Sequence, residues 1–216
     1  VTVATSPGGL AYTLTYEGQT QAPVEPGNYF VLAIVDEQFY EGDSGGFLVV
    51  AKGVQAIDFP PIPDQLANGS VTLSATGGPS GNPVTFEIAG GPGQINGTQL
   101  TFTGSGAVTV RARQSGNTRY SDATPVLRTV TVNKAPASLT LGDLAQTYDG
   151  LPKAPSSTTD PVGLAVSYTF DGSPTVPTGA GTYAVIGTIS DARYAGTATD
   201  SLVVGKASQT INFVQP

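Results

Sequence analysis

Residues 192–207 read ARYAGTATDSLVVGKA: a tyrosine, a turn of small residues, an apolar strand around Leu202, then a lysine followed by a small residue. The same form stands at 38–53, QFYEGDSGGFLVVAKG, and at 118–135, TRYSDATPVLRTVTVNKA. The three lysines, Lys52, Lys134 and Lys206, lie 82 and 72 residues apart, so they read as the ends of three modules joined by Lys-Gly or Lys-Ala links. Each module is small enough that only about 60% of its unfolded surface is buried on folding.

Comparison of the chain with itself supports this division. A shift of 154 residues lays positions 1–62 on 155–216 without a gap, and about 20 of the 62 pairs are identical. Gly9-Leu10-Ala11 meets Gly163-Leu164-Ala165, Gly27 and Tyr29 meet Gly181 and Tyr183, Tyr40 meets Tyr194, and Lys52 meets Lys206. Because Lys134 divides the period unequally, two module types alternate. The reading predicts a shorter type at 1–52, lacking the counterpart of 136–154; a longer type at 53–135; the shorter type again at 136–207; and at 208–216 the first strand of a further longer module, since QTINF at 209–213 matches QAIDF at 55–59. The expectation is of a window onto a longer tandem array.

The strands are legible by alternation. Val166, Tyr168 and Phe170 point one way with Ser167 and Thr169 between them, and Tyr183, Val185, Gly187 and Ile189 repeat the pattern, as half-buried strands require. The longer type predicts strands at about 54–59, 71–75, 84–88, 98–103, 107–113 and 125–133. Gly and Pro interrupt nearly every window long enough for a helix. The fold class is therefore all-β: tandem small antiparallel Ig-like sandwiches with no substantial helix.

Composition narrows the function classes. The 216 residues include no Cys, His, Met or Trp, which excludes disulfides, thiolate metal sites and His-assisted nucleophiles. A net charge of −7 argues against nucleic acid or anionic membrane as partner. No apolar run approaches the roughly 20 residues of a membrane span.

The stretch from Leu139-Thr140-Leu141 through Tyr148-Asp149-Gly150 to Gly181-Thr182-Tyr183, Arg193-Tyr194 and Gly205-Lys206-Ala207 resembles the MBG or YDG-type repeats of large bacterial surface proteins. The segment 53–135, with QAIDFPPIPD and VTLSATGGPSGNPVTFEI, resembles the bacterial Ig-like repeats that accompany them. The resemblance implies a stalk-like, non-catalytic segment of an exported adhesin-type protein at the bacterial cell surface, with neighbouring repeats as its partners. It carries no catalytic residues and no cofactor.

Each candidate site has a structural reading beside the functional one. Tyr148-Asp149-Gly150 reads as a turn in which Asp149 bonds its own backbone and Gly150 supplies an angle other residues resist. Tyr29, Tyr183, Tyr40, Tyr194 and Tyr120 could stack sugars, but their fixed distance from turn glycines makes them core or corner tyrosines. Asp36, Glu37, Glu41 and Asp43 cluster in what reads as one loop and are weak candidates for calcium, which needs about six to eight oxygens; the second copy keeps only Asp191 there. Lys52, Lys134 and Lys206 read as solvent-facing linker residues rather than isopeptide lysines. A spacer is the expected function. The alternatives are a module recognising a glycan or host protein, and a filament subunit donating 208–216, which the register with the longer type opposes.

Overall fold

The computed structural model describes residues 1–214. The stretch expected to open a further module at 208–216 is therefore described as far as Val214, and its last two residues lie outside the described residues. Every regular element among the described residues is a strand. Contacts group the chain into two compact units, one of Val1–Pro60, Ser74–Phe86 and Arg111–Leu127, the other of Pro61–Leu73, Glu87–Val110 and Arg128–Pro216.

The chain opens with β1 (Thr13–Tyr16), β2 (Gly27–Glu37) and β3 (Tyr40–Val50), which form one antiparallel sheet in the order β1-β2-β3. Val31 is its buried centre. Phe30, Ile34, Phe47 and Val49 sit on the other face and are exposed. The turn between β1 and β2 uses Glu17 and Gly18 at positive φ, and its counterpart uses Asp171 and Gly172 in the same way.

The middle stretch contributes β4 (Gln65–Leu66), β5 (Ser70–Thr72), β6 (Thr85–Gly90), β7 (Gly93–Asn96), β8 (Gln99–Phe102), β9 (Gly106–Arg113) and β10 (Val126–Asn133). They make a four-stranded sheet, β4-β10-β9-β6, and a three-stranded one, β5-β8-β7. Strands β6, β9 and β10 supply residues to both units. Their alternation buries Val108 and Val110 on β9, Val130 and Val132 on β10, and Leu100 and Phe102 on β8. A Cβ at Gly93 on β7 would stand 2.8 Å from the Val108 side chain and 3.0 Å from that of Ile88, so the sheets meet there across a glycine.

No strand is formed at 54–59, where one was expected. Only Asp58 forms a bridge, with Thr76, yet Ile57 and Phe59 are buried. Phe59 packs against Phe86 with ring centroids 5.3 Å apart. Strand β7 was not expected: GQIN is short and glycine-led, and it pairs because Gly97, at positive φ, turns it back onto β8.

The last stretch forms β11 (Ala135–Pro136), β12 (Ser138–Gly142), β13 (Ala145–Thr147), β14 (Ser156–Asp160), β15 (Val166–Phe170), β16 (Gly181–Ile189), β17 (Tyr194–Ala195) and β18 (Thr197–Gly205). Sheet β13-β18-β16-β15 faces the pair β12-β14. Phe170, Val185, Leu202 and Val204 form the core, with Leu141 of β12 packed against it from the other sheet. Gly187 lies where Leu139 and Leu141 approach, each 3.0 Å from the place a Cβ would take. Strand β14, SSTTD, has no apolar alternation and escaped the reading of the sequence. Its existence follows from its partner β12, which bonds it from Ser138↔Asp160 to Gly142↔Ser156.

Leu202 and Val203 are neighbours on opposite faces, the first fully buried and the second 46% exposed. In chemical denaturation, Leu202→Ala is expected to destabilise this core by about 2–5 kcal/mol. Val203→Ala should stay within about 0.5 kcal/mol of the parent.

Candidate functional site: the joints and their turns

The residues following two of the linker lysines open the next stretch by bonding to its own Arg-Tyr turn. Gly53 forms a parallel bridge with Tyr120: its N–H donates to the Arg119 carbonyl at 2.8 Å, and the Ser121 N–H donates back to the Gly53 carbonyl at 2.9 Å. Ala135 pairs in the same way with Tyr194, its N–H donating to the Arg193 carbonyl at 2.8 Å, while the Ala137 N–H donates to the Ala195 carbonyl at 2.9 Å. A small residue is required at the first joint, since a Cβ at Gly53 would come within 2.8 Å of the Tyr120 ring.

Both turns are held by one side chain. The Asn117 Oδ1 accepts from the Arg119 and Tyr120 N–H groups at 2.8 and 2.9 Å. The Asp191 Oδ1 accepts from Arg193 and Tyr194 at 2.7 and 3.0 Å. This is the Asx geometry that short polar side chains impose on a backbone. The spacing Asn/Asp-x-Arg-Tyr was present in the sequence, but the tyrosine drew attention from the residue that shapes the turn.

In the first copy the aligned residue is Glu37, one methylene longer, and no such turn forms. Strands β2 and β3 run on into a tight hairpin with Glu37 opposite Tyr40. The expectation of an acidic loop is therefore corrected to a hairpin tip, on which Asp36 lies directly opposite Glu41 and Asp43 opposite Ile34. All four acidic side chains are exposed. The described residues contain no group of three or more His, Cys, Asp or Glu placed to hold a metal.

Each joint also draws on the residues that precede a late strand. Arg119 reaches back to Glu25, ahead of β2: its Nε donates to Oε2 at 2.7 Å and an Nη donates to Oε1. This carboxylate raises the guanidinium pKa. Ser105, ahead of β9, donates its N–H to the Ala192 carbonyl at 3.0 Å. Lys52 is exposed, and its Nζ donates to the Asn117 carbonyl at 2.8 Å. Lys134 and Lys206 are exposed.

The tyrosines divide by environment. Tyr29 and Tyr183 are half-buried corner residues whose hydroxyls donate to the carbonyls of Glu25 and Gly179, four residues back, at 2.9 and 3.0 Å. Their rings lie over Gly27 and Gly181, which accounts for the repeated Gly-x-Tyr. Tyr120 and Tyr194 are half-buried in the turns, and the Arg193 guanidinium stands 5.7 Å from the Tyr194 ring centre. Tyr40 departs from the expected core or corner position: it is 47% exposed, next to the hairpin tip and opposite Glu37. Tyr148 is exposed as well.

Gly150 has φ +84°. The Asp149 carboxylate accepts from the Leu151 N–H at 2.9 Å and from the Lys153 Nζ at 2.6 Å. Lys153, then the Leu151 amide, hold the Asp149 pKa below its ordinary value.

Gln114 is the buried polar side chain that the reading of the sequence missed. Its Oε1 accepts from the Gly78 N–H at 2.7 Å and its Nε2 donates to the Asn82 carbonyl at 2.8 Å, tying down the loop at 77–82. Buried amides of this kind are satisfied as a rule. An isolated Gln just past the end of a strand gives no sequence signal of such a role.

Comparison with known proteins places these features in a family. The MBG domain model matches residues 1–54 and 137–208, more than half of the chain, and the chain belongs to the MBG domain family. No curated protein matches it. Among solved structures it is similar to an endo-fucoidan hydrolase from glycoside hydrolase family 107, with 12% identity over 93% of this chain and 38% of that one at TM-score 0.30. It is also similar to the N-terminal eight Ig domains of Down Syndrome Cell Adhesion Molecule, with 11% identity over 91% of this chain and 33% of that one at TM-score 0.26. The chain thus spans 38% and 33% of the two structures. Likenesses this weak assign it neither an activity nor a partner.

A carboxylate whose folded pKa is lowered stabilises the fold above its unfolded pKa of about 3.9. That contribution is lost as pH falls through the lower folded value. In an NMR titration Asp149 is expected to titrate below the ordinary range, and Lys153→Ala should move its midpoint upward.

Proposed function

We propose that the chain is a non-catalytic spacer segment of a large repetitive protein displayed outside a bacterial cell, in which MBG domains alternate with a second, Ig-like domain type. One observation carries this reading: the same backbone pairing onto an Asx-shaped Arg-Tyr turn occurs at two joints. At Lys52-Gly53 and again at Lys134-Ala135, the opening residue pairs with an Arg-Tyr turn shaped by Asn117 or Asp191. At both joints the turn region is touched by residues that precede a late strand. A joint made largely of backbone hydrogen bonds, with only short links, suits a chain that must transmit position from one repeat to the next. The absence of Cys and His from the sequence supports a role without chemistry.

A second reading, a binding module for a glycan or protein, is favoured by the outer face of β1–β3. Phe30 and Phe47 meet edge to face with centroids 5.6 Å apart, and Phe47 is 71% exposed. The aligned residues of the second copy are Ala184 and Ser201, so the aromatic pair belongs to one copy alone. A spacer has no use for a unique face.

Small-angle scattering of the chain is expected to give an elongated particle two to three modules long, whereas a compact globule would contradict the spacer. Glycan-array and cell-binding assays separate the second reading, which requires binding that Phe30→Ala with Phe47→Ala abolishes.

A further inference from the structure

Two of the chain's seven asparagines are followed by glycine, Asn68-Gly69 and Asn96-Gly97, and both pairs lie in exposed turns of the middle stretch. The first pair connects β4 to β5 and the second connects β7 to β8, so both serve the three-stranded sheet β5-β8-β7. Such a dipeptide suits a turn, because glycine takes backbone angles that side chains resist. It also has a chemical consequence. With no Cβ on the following residue, its backbone nitrogen can come close to the asparagine carboxamide carbon.

The two pairs differ in what that nitrogen is doing. The Gly69 N–H donates to the Leu66 carbonyl at 2.9 Å, and the chain on either side is pinned: the buried Ala67 donates its N–H to the Asn133 carbonyl at 2.8 Å, and Ser70 pairs with Thr101. The Gly97 N–H donates to no group among the described residues. Gly97 has φ +61°, and a Cβ there would meet nothing within 4 Å. Asn96, Gly97 and Thr98 are all exposed. Asn96 stands opposite Gln99 on the last rung of the β7–β8 ladder, and the end of an edge hairpin is among the first parts of a fold to open.

We propose that Asn96 is a site of slow self-modification, deamidation through a cyclic imide formed with the Gly97 nitrogen, and that Asn68 is protected from it. When the last rung opens, the Gly97 nitrogen gives up its proton to water and attacks Cγ of Asn96. The N–Cγ bond forms, the Cγ–Nδ2 bond breaks, and Nδ2 takes up a proton and leaves as ammonia. Water then opens the imide at either carbonyl. Release of Cγ gives aspartate, whereas release of the main-chain carbonyl gives isoaspartate, with the backbone running on through the former side chain. Water is the sole co-reactant, and nothing is oxidised or reduced. Both products place a carboxylate at the hairpin tip. Isoaspartate also adds a methylene to the backbone, so the Asn96↔Gln99 rung no longer fits. Strand β7 is the edge strand of its sheet, and it frays from the turn inward, toward Gly93 where the sheets meet.

Peptide mapping of the full chain, held for weeks in mildly alkaline buffer that favours loss of the amide proton, tests this. Fragmentation separates isoaspartate from aspartate, and the peptides QINGTQ and LANGSV serve as unstructured references. Relative to its own reference, Asn96 is expected to convert at least about fivefold faster than Asn68, the worth of one net hydrogen bond, and to yield both products. Asn96→Gln, at an exposed turn position, should abolish conversion there, because the longer side chain closes a less favourable ring, and should leave Asn68 unchanged. The proposal is overturned if Asn96 stays intact while QINGTQ converts, if Asn68 keeps pace with Asn96, or if aspartate forms without isoaspartate, the mark of direct hydrolysis that does not use the Gly97 nitrogen.

Discussion

The middle and last stretches each depend on one short piece of backbone pairing between the residue after a lysine and a turn some sixty residues later. Gly53 meets Tyr120 and Ala135 meets Tyr194. These pairings close long loops, whose entropic cost must be met by the contacts that closure brings. The main such contact is the burial of the apolar residues that follow. Once Gly53 is fixed, Ile57 and Phe59 fall into the interior; once Ala135 is fixed, Leu139 and Leu141 cover the β16 face. The turn residues Asn117 and Asp191 preset the acceptor carbonyls of Arg119 and Arg193. Glycines clear the way for the chain: a Cβ at Gly196 would collide with the Ala137 carbonyl oxygen, and one at Gly116 with that of Tyr120.

The strands of the two MBG copies differ in burial. In the second copy, closure puts β12 over the sheet and leaves Val185 and Leu202 fully enclosed. Among the described residues of the first, Val31 is the one buried hydrophobic residue on β1–β3, and Tyr40 is exposed. Glu37 stands in place of Asp191, and there the strands run on into a hairpin. The Glu37 carboxylate instead accepts from the Ala11 N–H at 2.5 Å.

Much of this was legible in the sequence. The all-β class, the Gly-x-Tyr corners and the Asp149 turn each carry a local signature: alternation, a glycine two residues before an aromatic, a short acid before a glycine. The remainder depended on partners far along the chain. Strand β14 is polar and exists because β12 lies beside it. The segment 54–59 alternates like a strand, yet it is held chiefly by the burial of Ile57 and Phe59. The acidic residues between Asp36 and Asp43 read as a loop because nothing local distinguishes a loop from a hairpin tip. Asn117, Asp191 and Gln114, which shape the joints and the loop beside them, are single polar residues whose roles are set by backbone groups the linear order does not reveal.

The residues after the first two linker lysines belong to the folded modules and are not flexible connectors, and the whole picture of the joints stands on that. Hydrogen exchange at the Gly53, Ser121, Ala135 and Ala137 amides tests it most directly. Exchange is predicted to be slowed to the level of core strand amides such as those of Val110 and Val185, through the same cooperative opening. Exchange as fast as that of the unpaired amides at 208–214 would contradict it.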